Sequence, residues 1–432
     1  MTYTDFIAVI DLGTSHMVGM VGTKNENGVL SIIAYDVEKS ESCIRRGCVY
    51  NVEETANKIK RLILKLENKL GGTKIGQVYV GLGGQSLRSI EHTVCKVLGT
   101  EGVVTEEIID SLYQECKDYR PDMLTVLDVV SPSYFLDDKP ESNPVGVPCS
   151  RIEARYKLIV GRPSLKLNIV NSISEQAKIE IAGILVSPLA LGDVVLSDNE
   201  KDLGCALIGF GAGVTTISVY KGGKLASLSV VPFGGNLITK DITNLRVVES
   251  EAERLKITYG SAKADRDNDM TIQVSLADGM GLREIKLAEL NGVIEARMDE
   301  ILENVYARLE ATGLMSVLGA GIVITGGGAA LKNLPAVMSE RLKMEVRYSA
   351  VRKGVVASGD LVVASNPEYA VAVGLLAKGT KNCALYIPPK PEPKIEPVVE
   401  PEPTVEPTPE PEPVKEKPKK EKKKGPGLFG FG

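Results

Sequence analysis

Asp11 and the small residues that follow it have the chemistry needed to hold a metal ion and a phosphate group. They lie in residues 7–22, where four apolar residues lead to Asp11, the turn Gly13, Thr14, Ser15 follows, and a second apolar run leads away. This spacing favours a strand, a tight turn and a returning strand. Backbone N–H groups of such a turn can bind an anion, and a carboxylate at the strand end can hold a hydrated divalent cation. A buried hairpin that merely carries an Asp is the alternative interpretation.

The same pattern occurs a second time, in residues 205–223. When residues 9–13 are laid over residues 207–211, Gly209 takes the place of Asp11, and both copies continue with small or hydroxyl residues and an apolar run. An internal repeat of this size implies two similar lobes whose turns face a shared cleft.

Three consecutive glycines, Gly326, Gly327 and Gly328, interrupt an apolar strand before a helical segment. Without Cβ atoms, such a backbone can approach a flat or charged ligand closely. A purely structural strand-to-helix turn seldom needs three glycines, so this pattern favours binding over packing.

Composition excludes several classes of protein. The chain has 432 residues, of which 43% are apolar and 25% charged, enough for two or more domains. The net charge is −5, so nothing suggests nucleic-acid binding. Seven cysteines without a C-x-x-C pair indicate reduced thiols in a cytoplasm, and two histidines argue against a zinc site or a Ser/His/Asp triad. We find no apolar run of about 20 residues, no secretory signal and no P-loop motif.

Hydrophobic periodicity predicts the remaining elements. Residues 86–163 alternate between apolar and polar positions around one helix, which indicates an inserted α+β subdomain, and residues 137–148 are expected to be a solvated connection. The other predicted strands are residues 29–37, 77–84, 90–97, 125–135, 151–160, 167–170, 184–187, 225–232 and the apolar start of 321–331. The predicted helices are residues 52–70, 105–119, 174–183, one from near Leu237, 249–259, 287–309 and one after Asn366 to about Leu376.

The order of these motifs resembles the actin, Hsp70 and sugar-kinase superfamily and, within it, the bacterial cell-division family FtsA. The similarity covers about residues 5–387, and the position of the insertion at 86–163 is what resembles FtsA rather than actin or MreB. The resemblance implies an α/β, actin-like two-lobed ATPase fold of duplicated ribonuclease-H-like domains, with an inserted α+β subdomain and a disordered C-terminal tail. The implied divisions are a first lobe at 1–85 and 164–200, a second lobe at 201–365 with a small subdomain at about 245–312, a closing helix region at 366–387, a linker at 388–424 and a membrane-targeting end at 425–432.

The ligand implied by the resemblance is ATP with Mg²⁺ between the lobes, the metal being held by Asp11 through water. The residues implied to contact the nucleotide are Gly13, Thr14 and Ser15 at the phosphates, Gly211, Ala212 and Gly213 opposite them, Glu253 and Lys256 at the ribose, and the adenosine loop Gly326, Gly327 and Gly328, of which Gly327 and Gly328 pass under the adenine.

Two departures from the superfamily pattern change the expected chemistry. The second phosphate loop normally has Asp where this chain has Gly209 and Thr where it has Val214, and the Glu-Pro segment before the second lobe is Ser187-Pro188 here. Phosphoryl transfer needs metal placement and an oriented nucleophile. We therefore expect nucleotide binding with weak or absent ATPase activity, and no residue is assigned as catalytic.

The C-terminal tail suggests a tether to a membrane. Residues 388–413 alternate proline with glutamate and should be extended, spanning up to roughly 80 Å. Residues 415–424 are lysine-rich and precede a glycine-rich end with three large apolar side chains. This end is expected to be a poor helix and a weak anchor on an anionic leaflet. A merely solubilising tail is the alternative. The residues predicted to contact the membrane are Lys422, Lys423, Lys424, Leu428, Phe429 and Phe431.

In the family that the chain resembles, the function is to tether the tubulin-like FtsZ to the cytoplasmic face of the membrane at the division site, to polymerise head to tail and to recruit downstream divisome proteins. The segment 293–297 resembles part of the groove for the FtsZ tail peptide, which implies that Arg297 contacts peptide carboxylates. A pilus-assembly scaffold of the PilM type and a small-molecule kinase of the same superfamily are the alternatives.

Overall fold

The hairpin that carries Asp11 lies inside a five-stranded sheet of the first lobe. The computed structural model describes residues 5–99, 102–275, 281–360, 363 and 365–385. The central strand pairs antiparallel with its hairpin partner, where Asp11 faces Val18, and parallel with the strand on its other side. With labels in chain order, the strands are β1 (Ile7–Leu12), β2 (His16–Lys24), β3 (Leu30–Lys39), β6 (Gln77–Leu82) and β11 (Glu180–Val186), arranged as β11-β6-β1-β2-β3.

The second lobe repeats this sheet strand for strand. Gly209 pairs with Thr216 as Asp11 pairs with Val18. The match confirms the duplicated α/β fold expected from the sequence. The strands are β12 (Cys205–Phe210), β13 (Thr215–Lys221), β14 (Lys224–Val231), β17 (Ile322–Thr325) and β18 (Val346–Tyr348), arranged as β18-β17-β12-β13-β14.

Helix α1 (Val52–Lys69) covers one face of the first sheet. Asn51 caps it by accepting the N–H of Glu54 at 3.0 Å, which satisfies one of the free amides of the first turn. Its buried stripe packs directly on β2, because a Cβ on Gly19 would lie 2.8 Å from Cδ1 of Leu66. This contact fixes the distance between β2 and α1. It thereby also fixes the position of the turn after Asp11, which leads into β2.

Two helices join the lobes and bring both sheets into one compact unit, Met1–Tyr386. Helices α4 (Ser187–Val195) and α10 (Ala370–Lys378) pack against each other, α10 against β1 and α4 against β13. Their backbones touch, since a Cβ on Gly374 would lie 2.3 Å from the carbonyl oxygen of Ala190. The two turns that follow β1 and β12 are therefore held in a defined relation.

The inserted segment forms a separate sheet with its own apolar core, as predicted. Its first strand contacts the second lobe, where Ser89 Oγ accepts the N–H of Leu228 at 2.8 Å. The expected loop at 137–148 contains a short strand, because residues 139–141 pair with the end of the preceding strand. The elements are β7 (Arg88–Val97), α2 (Glu106–Asp118), β8 (Thr125–Leu136), β9 (Lys139–Glu141) and β10 (Arg151–Gly161), in the order β7-β10-β8-β9.

A mainly helical region lies between β14 and β17 in the second lobe. The boundaries of the predicted helix 249–259 are confirmed, and the predicted helix 287–309 extends one residue further. Its elements are α6 (Gly235–Ile242), α7 (Glu249–Tyr259), β15 (Thr271–Ser275), β16 (Leu282–Lys286) and α8 (Leu287–Glu310). Among the described residues, the remaining short elements are β4 (Ile44–Arg45), β5 (Cys48–Val49), α3 (Ser164–Val170), α5 (Asp198–Leu203) and α9 (Leu334–Leu342), with 3₁₀ turns at 243–245, 315–317, 327–330 and 358–360.

Residues 164–183 differ from the prediction, whereas the predicted strand 184–187 is largely part of β11. The predicted strand 167–170 is part of α3, and the predicted helix 174–183 is a π-helical turn (Asn171–Ala177) followed by β11. Leu165, Ile169 and Ile173 are buried at a spacing of four, which buries one face of a helix. Lys178, in the left-handed region at φ 61°, ends the helical segment and frees the next apolar run to pair with β6.

None of the described helices is long and apolar enough to cross a membrane. The tail residues 388–432, including Lys422, Lys423, Lys424, Leu428, Phe429 and Phe431, lie outside the described residues. The domain boundaries given above remain a prediction.

Candidate nucleotide site between the lobes

The turn after β1 uses its carbonyl groups for structure and leaves its amides free. Ser40, buried just after β3, donates its hydroxyl to the carbonyl of Gly13 at 2.7 Å and its N–H to the carbonyl of Ser15 at 2.9 Å. The N–H groups of Gly13, Thr14 and Ser15 donate no hydrogen bond to any described residue. Successive free amides in a turn form a site for an anion.

The turn after β12 is built in the same way. The carbonyls of Gly211 and Ala212 accept the N–H groups of Gly235 and Asn236 at 2.9 and 2.8 Å. Gly234 makes this approach possible, because a Cβ there would lie 2.5 Å from the Gly211 oxygen. The amides of Ala212 and Gly213 have no partner in the described part of the chain, so this turn also presents donors.

The two turns touch each other. A Cβ on Gly213 would lie 2.6 Å from Thr14 Oγ1 and 2.9 Å from the Cα of Arg46. Glycine at position 213 is therefore what allows the two sets of free amides to approach from opposite lobes. A ligand with several negative charges would be bound by both sets together.

Asp11 lies beside the first turn at the carboxyl end of β1. Ser187 Oγ donates a hydrogen bond to its Oδ1 at 3.4 Å, and a Cβ on Gly81 would lie 3.0 Å from the same oxygen. Burial raises the pKa of Asp11 to about 6, against the opposing effects of the Ser187 hydrogen bond and the Leu12 amide. A carboxylate that is costly to ionise by itself is stabilised when a cation is bound next to it.

No group of three His, Cys, Asp or Glu side chains suited to a metal ion occurs in the described ranges. A Mg²⁺ ion at Asp11 would therefore take most of its ligands from water and phosphate, which is how this ion is usually bound in nucleotide sites. The single carboxylate and the free amides fit a Mg²⁺–nucleotide complex.

The two positions where carboxylates were expected are occupied differently. At Gly209 a Cβ would lie 2.6 Å from Thr216 Oγ1, so a larger residue requires Thr216 to move. At position 187, the serine hydroxyl contacts Asp11 itself. Asp11 is thus without a carboxylate counterpart at either position.

The predicted ribose residues lie together next to the second turn. Lys256 Nζ forms an ion pair with Glu253 Oε2 at 2.7 Å and donates to Thr239 Oγ1 at 2.8 Å and to the carbonyl of Gly235 at 3.2 Å. Since Gly235 donates to Gly211, this cluster is connected to the second turn through one residue. Glu253 and Lys256 are partly buried and present one acceptor and one donor group for hydroxyls.

The three glycines at 326–328 have different roles. Gly326 has φ 87°, and a Cβ there would lie 2.5 Å from the carbonyl oxygen of Phe210; at Gly328 the Cβ would lie 3.0 Å from the Phe210 Cβ. Both positions are therefore needed for packing against β12. A Cβ on Gly327 would meet nothing within 4 Å. The buried hydroxyl of Thr325 beside them has no hydrogen-bond partner among the described residues.

Arg297 lies on α8, far along the sequence from these two turns. Its side chain forms ion pairs with other residues of the second lobe. Its guanidinium binds Asp241 of α6 through Nε and, at 3.1 Å, through Nη2, and it also pairs with Glu300. An acidic peptide at this position would have to replace one of these carboxylates.

Several residues of the site were not identified from the sequence. Ser40 donates a hydrogen bond to the first turn, and Gly234 allows close packing against the second turn. Gly47 donates its N–H to Thr14 Oγ1 at 2.8 Å. The pair of arginines directly before Gly47 was a weak signal for the last of these, because cations beside a glycine can bind an anion, but they lie about thirty residues from the predicted turn in the chain. Ser40 had no such signal.

Comparisons with known proteins agree with this architecture. A family profile described as "Cell division protein FtsA" matches residues 206–374. The chain is 40% identical over 382 residues to "Cell division protein FtsA" of Porphyromonas gingivalis, covering 88% of this chain and 79% of that protein, and 32% identical over 391 residues to the protein of the same name from Bacillus subtilis, covering 89% and 86%. A solved structure, "PilM-PilN type IV pilus biogenesis complex", superimposes with a TM-score of 0.60 at 16% identity over 86% of this chain and 97% of that one, which shows a shared fold.

Proposed function

Because the chain belongs to the FtsA family of cell-division proteins and has its actin-like fold, we propose that it binds ATP with Mg²⁺ between its lobes and links FtsZ to the membrane. The nucleotide-bound chain assembles head to tail at the division site, on the cytoplasmic face of the membrane, and recruits downstream divisome proteins. The observation that carries the nucleotide proposal is the contact between Gly213 and Thr14, which brings two sets of free amides together near Asp11.

Each part of the site has a role in this proposal. The amides of Gly13–Ser15 and of Ala212 and Gly213 bind phosphate oxygens, and Asp11 orients the Mg²⁺ through water. Glu253 and Lys256 bind the ribose hydroxyls, and Gly327 lies under the adenine. When bound, a Mg²⁺ ion would neutralise part of the charge of the phosphates.

Hydrolysis is slow in this proposal. Efficient phosphoryl transfer needs a group that orients the attacking water as well as metal placement. Ser187 and Gly209 replace the two carboxylates of the superfamily pattern, and Ser187 is hydrogen-bonded to Asp11. ATP then acts mainly by stabilising the closed, assembly-competent state.

Gly327 offers a test of the adenine position. We expect Gly327→Ala to leave the melting temperature unchanged, because its Cβ meets open space, and to lower ATP affinity about tenfold by colliding with the base. Calorimetric titration and thermal unfolding measure the two effects. Gly292→Ala on α8, where a Cβ also meets nothing within 4 Å, is the matched control. Unchanged affinity in Gly327→Ala would place the adenine elsewhere.

Recruitment of FtsZ to vesicles tests the adaptor function. With ATP, the chain should carry FtsZ into the pellet with vesicles that contain anionic lipid, and not with neutral ones, because the lysines of residues 415–424 are attracted to negative headgroups. Removing residues 415–432 should abolish pelleting and retain binding of the FtsZ tail peptide. Equal pelleting with and without these residues contradicts the membrane proposal.

Arg297→Glu should give the opposite result in the same assay, with the chain pelleting but FtsZ left in solution. Arg341→Glu is the matched control, because Arg341 of α9 also pairs with two carboxylates of α8, Asp299 at 3.1 Å and Glu303 at 3.2 Å. A general weakening of α8 affects both variants. FtsZ recruitment that persists in Arg297→Glu contradicts the role of Arg297.

A further inference from the structure

The turn between β4 and β5 lies against both phosphate turns. Gly47 donates its N–H to Thr14 Oγ1 of the first turn at 2.8 Å. The Cα of Arg46 is the atom that a Cβ on Gly213 of the second turn would approach to 2.9 Å. The backbone at Arg46 is therefore held where the two lobes meet.

Arg46 adopts a backbone conformation that arginine rarely takes. Its φ is 49°, in the left-handed region, which is unfavourable for a residue with a Cβ. Its side chain is exposed, so packing gives no reason for arginine at this position. Strained residues of this kind are concentrated at ligand sites, where the surrounding structure holds them in place.

The charge of Arg46 is not neutralised by a neighbour. Its Nη1 donates to Gln85 Oε1 at 3.3 Å, and no carboxylate of the described residues lies within ion-pair distance. The adjacent Arg45 differs, because its guanidinium lies 3.7 Å above the ring of Tyr50 and its Nε donates to Ser42. Arg46 is thus the available cation of the pair.

A series of contacts connects Arg46 to the predicted ribose residues. Lys256 contacts Gly235, Gly235 contacts Gly211, and Gly213 contacts Thr14 and Arg46. In the proposed function Lys256 lies at the ribose, so this sequence of contacts runs from the ribose across the phosphates. Arg46 and Thr14 end this sequence of contacts, beside the turns that are proposed to hold the phosphates.

We propose that Arg46 binds the terminal phosphate of a nucleoside triphosphate and makes the site prefer the triphosphate over the diphosphate. The guanidinium exchanges its neutral partner Gln85 for phosphate oxygens, which it can contact with two parallel hydrogen bonds. Because Arg46 belongs to the first lobe and its Cα rests against Gly213 of the second, the contact also favours the closed arrangement. This inference rests on the proposed nucleotide site.

Affinities for a non-hydrolysable ATP analogue and for ADP, both with Mg²⁺, test the proposal. Arg46→Ala should weaken binding of the analogue about tenfold or more, as expected for a lost charge-assisted contact, and change ADP binding less than about twofold. Arg45→Ala is the matched control and should alter neither affinity.

Arg46→Gly separates the loss of charge from damage to the fold. Glycine adopts positive φ without strain, so this variant should melt at the same temperature as the natural chain or higher and still lose the preference for the triphosphate. Two results would contradict the role of Arg46 and leave the proposed function standing, provided that the natural chain binds the analogue. In the first, Arg46→Ala binds the analogue as tightly as the natural chain. In the second, Arg46→Ala loses affinity for the analogue and for ADP equally. If the natural chain binds neither nucleotide, both proposals are wrong.

Discussion

Asp11→Asn is expected to lower the affinity for Mg²⁺–ATP by about a hundredfold. This is the upper end of the loss in affinity seen when a group that orients the ligands of a metal ion is removed. Asp11 is the carboxylate next to the turn with free amides, and no cluster of metal ligands among the described residues could replace it. Without the charge of Asp11, a Mg²⁺ ion bound as proposed would lose its orienting contact with the first lobe. Isothermal titration with Mg²⁺–ATP, and with ATP in the presence of a chelator, measures the loss.

The same substitution should stabilise the nucleotide-free protein at neutral pH. Burial raises the pKa of Asp11 from 3.8 to about 6, so the folded state prefers the protonated form. The contribution of Asp11 to the free energy of unfolding is fully present when the pH lies below the pKa of the unfolded state. It is lost as the pH rises through the folded-state pKa of about 6. Asn avoids the cost of the buried charge, which we put at roughly 2 kcal/mol at pH 7.5 after allowing for partial solvent access. The gain should shrink as the pH falls towards 4.

Urea unfolding in a chelating buffer at pH 7.5 and pH 5 measures this gain. Asp36→Asn on β3 is the control with the opposite sign: burial alone would raise the pKa of Asp36, but hydrogen bonds from Lys69 and Val37 outweigh it and the pKa falls. Losing Asp36 should therefore destabilise the protein at pH 7.5 and leave nucleotide affinity unchanged. Intact Mg²⁺–ATP affinity in Asp11→Asn would overturn the assignment, and a destabilised apo form would make Asp11 a structural residue.

The duplicated fold could be predicted because each copy carries its own local signal. Apolar runs on both sides of a small turn specify a hairpin, and the match of Gly209 to Asp11 reappears in the pairing of Gly209 with Thr216 and of Asp11 with Val18. The positions of Gly213 and Thr14 relative to each other could not be predicted in this way. Their contact depends on how α4 and α10 pack between the lobes, which no local pattern encodes.

Residues 164–183 show where local patterns fail. A short apolar run is compatible with either a strand or a buried helix, and here the burial of Leu165, Ile169 and Ile173 against the first lobe decides for the helix. Ser40 shows a second limit. Its hydroxyl and N–H support the first turn from the end of β3, twenty-odd residues away in the chain, and a single serine after a strand carries no signal for that role.

Replacing Gly213 with alanine is expected to separate the two turns. The added Cβ would lie 2.6 Å from Thr14 Oγ1, 2.9 Å from Thr14 Cγ2 and 2.9 Å from the Cα of Arg46, all closer than real Cβ contacts. Overpacking of this kind costs about 1 to 3 kcal/mol, and a backbone atom such as the Arg46 Cα cannot rotate away. We expect a lower melting temperature and at least about a tenfold loss of ATP affinity, because the two sets of amides would no longer reach one ligand.

A double-mutant cycle with Thr14→Ala shows whether the contact across the lobes is the cause. Thr14→Ala removes both side-chain atoms that the new methyl group would meet, at the cost of the hydrogen bond from Gly47. In the double variant the destabilisation should be smaller than the sum of the two single effects by about 1 kcal/mol, since residues in contact are not additive. Strict additivity would mean that Gly213 and Thr14 do not touch in solution, and the lobes would then be open when no nucleotide is bound.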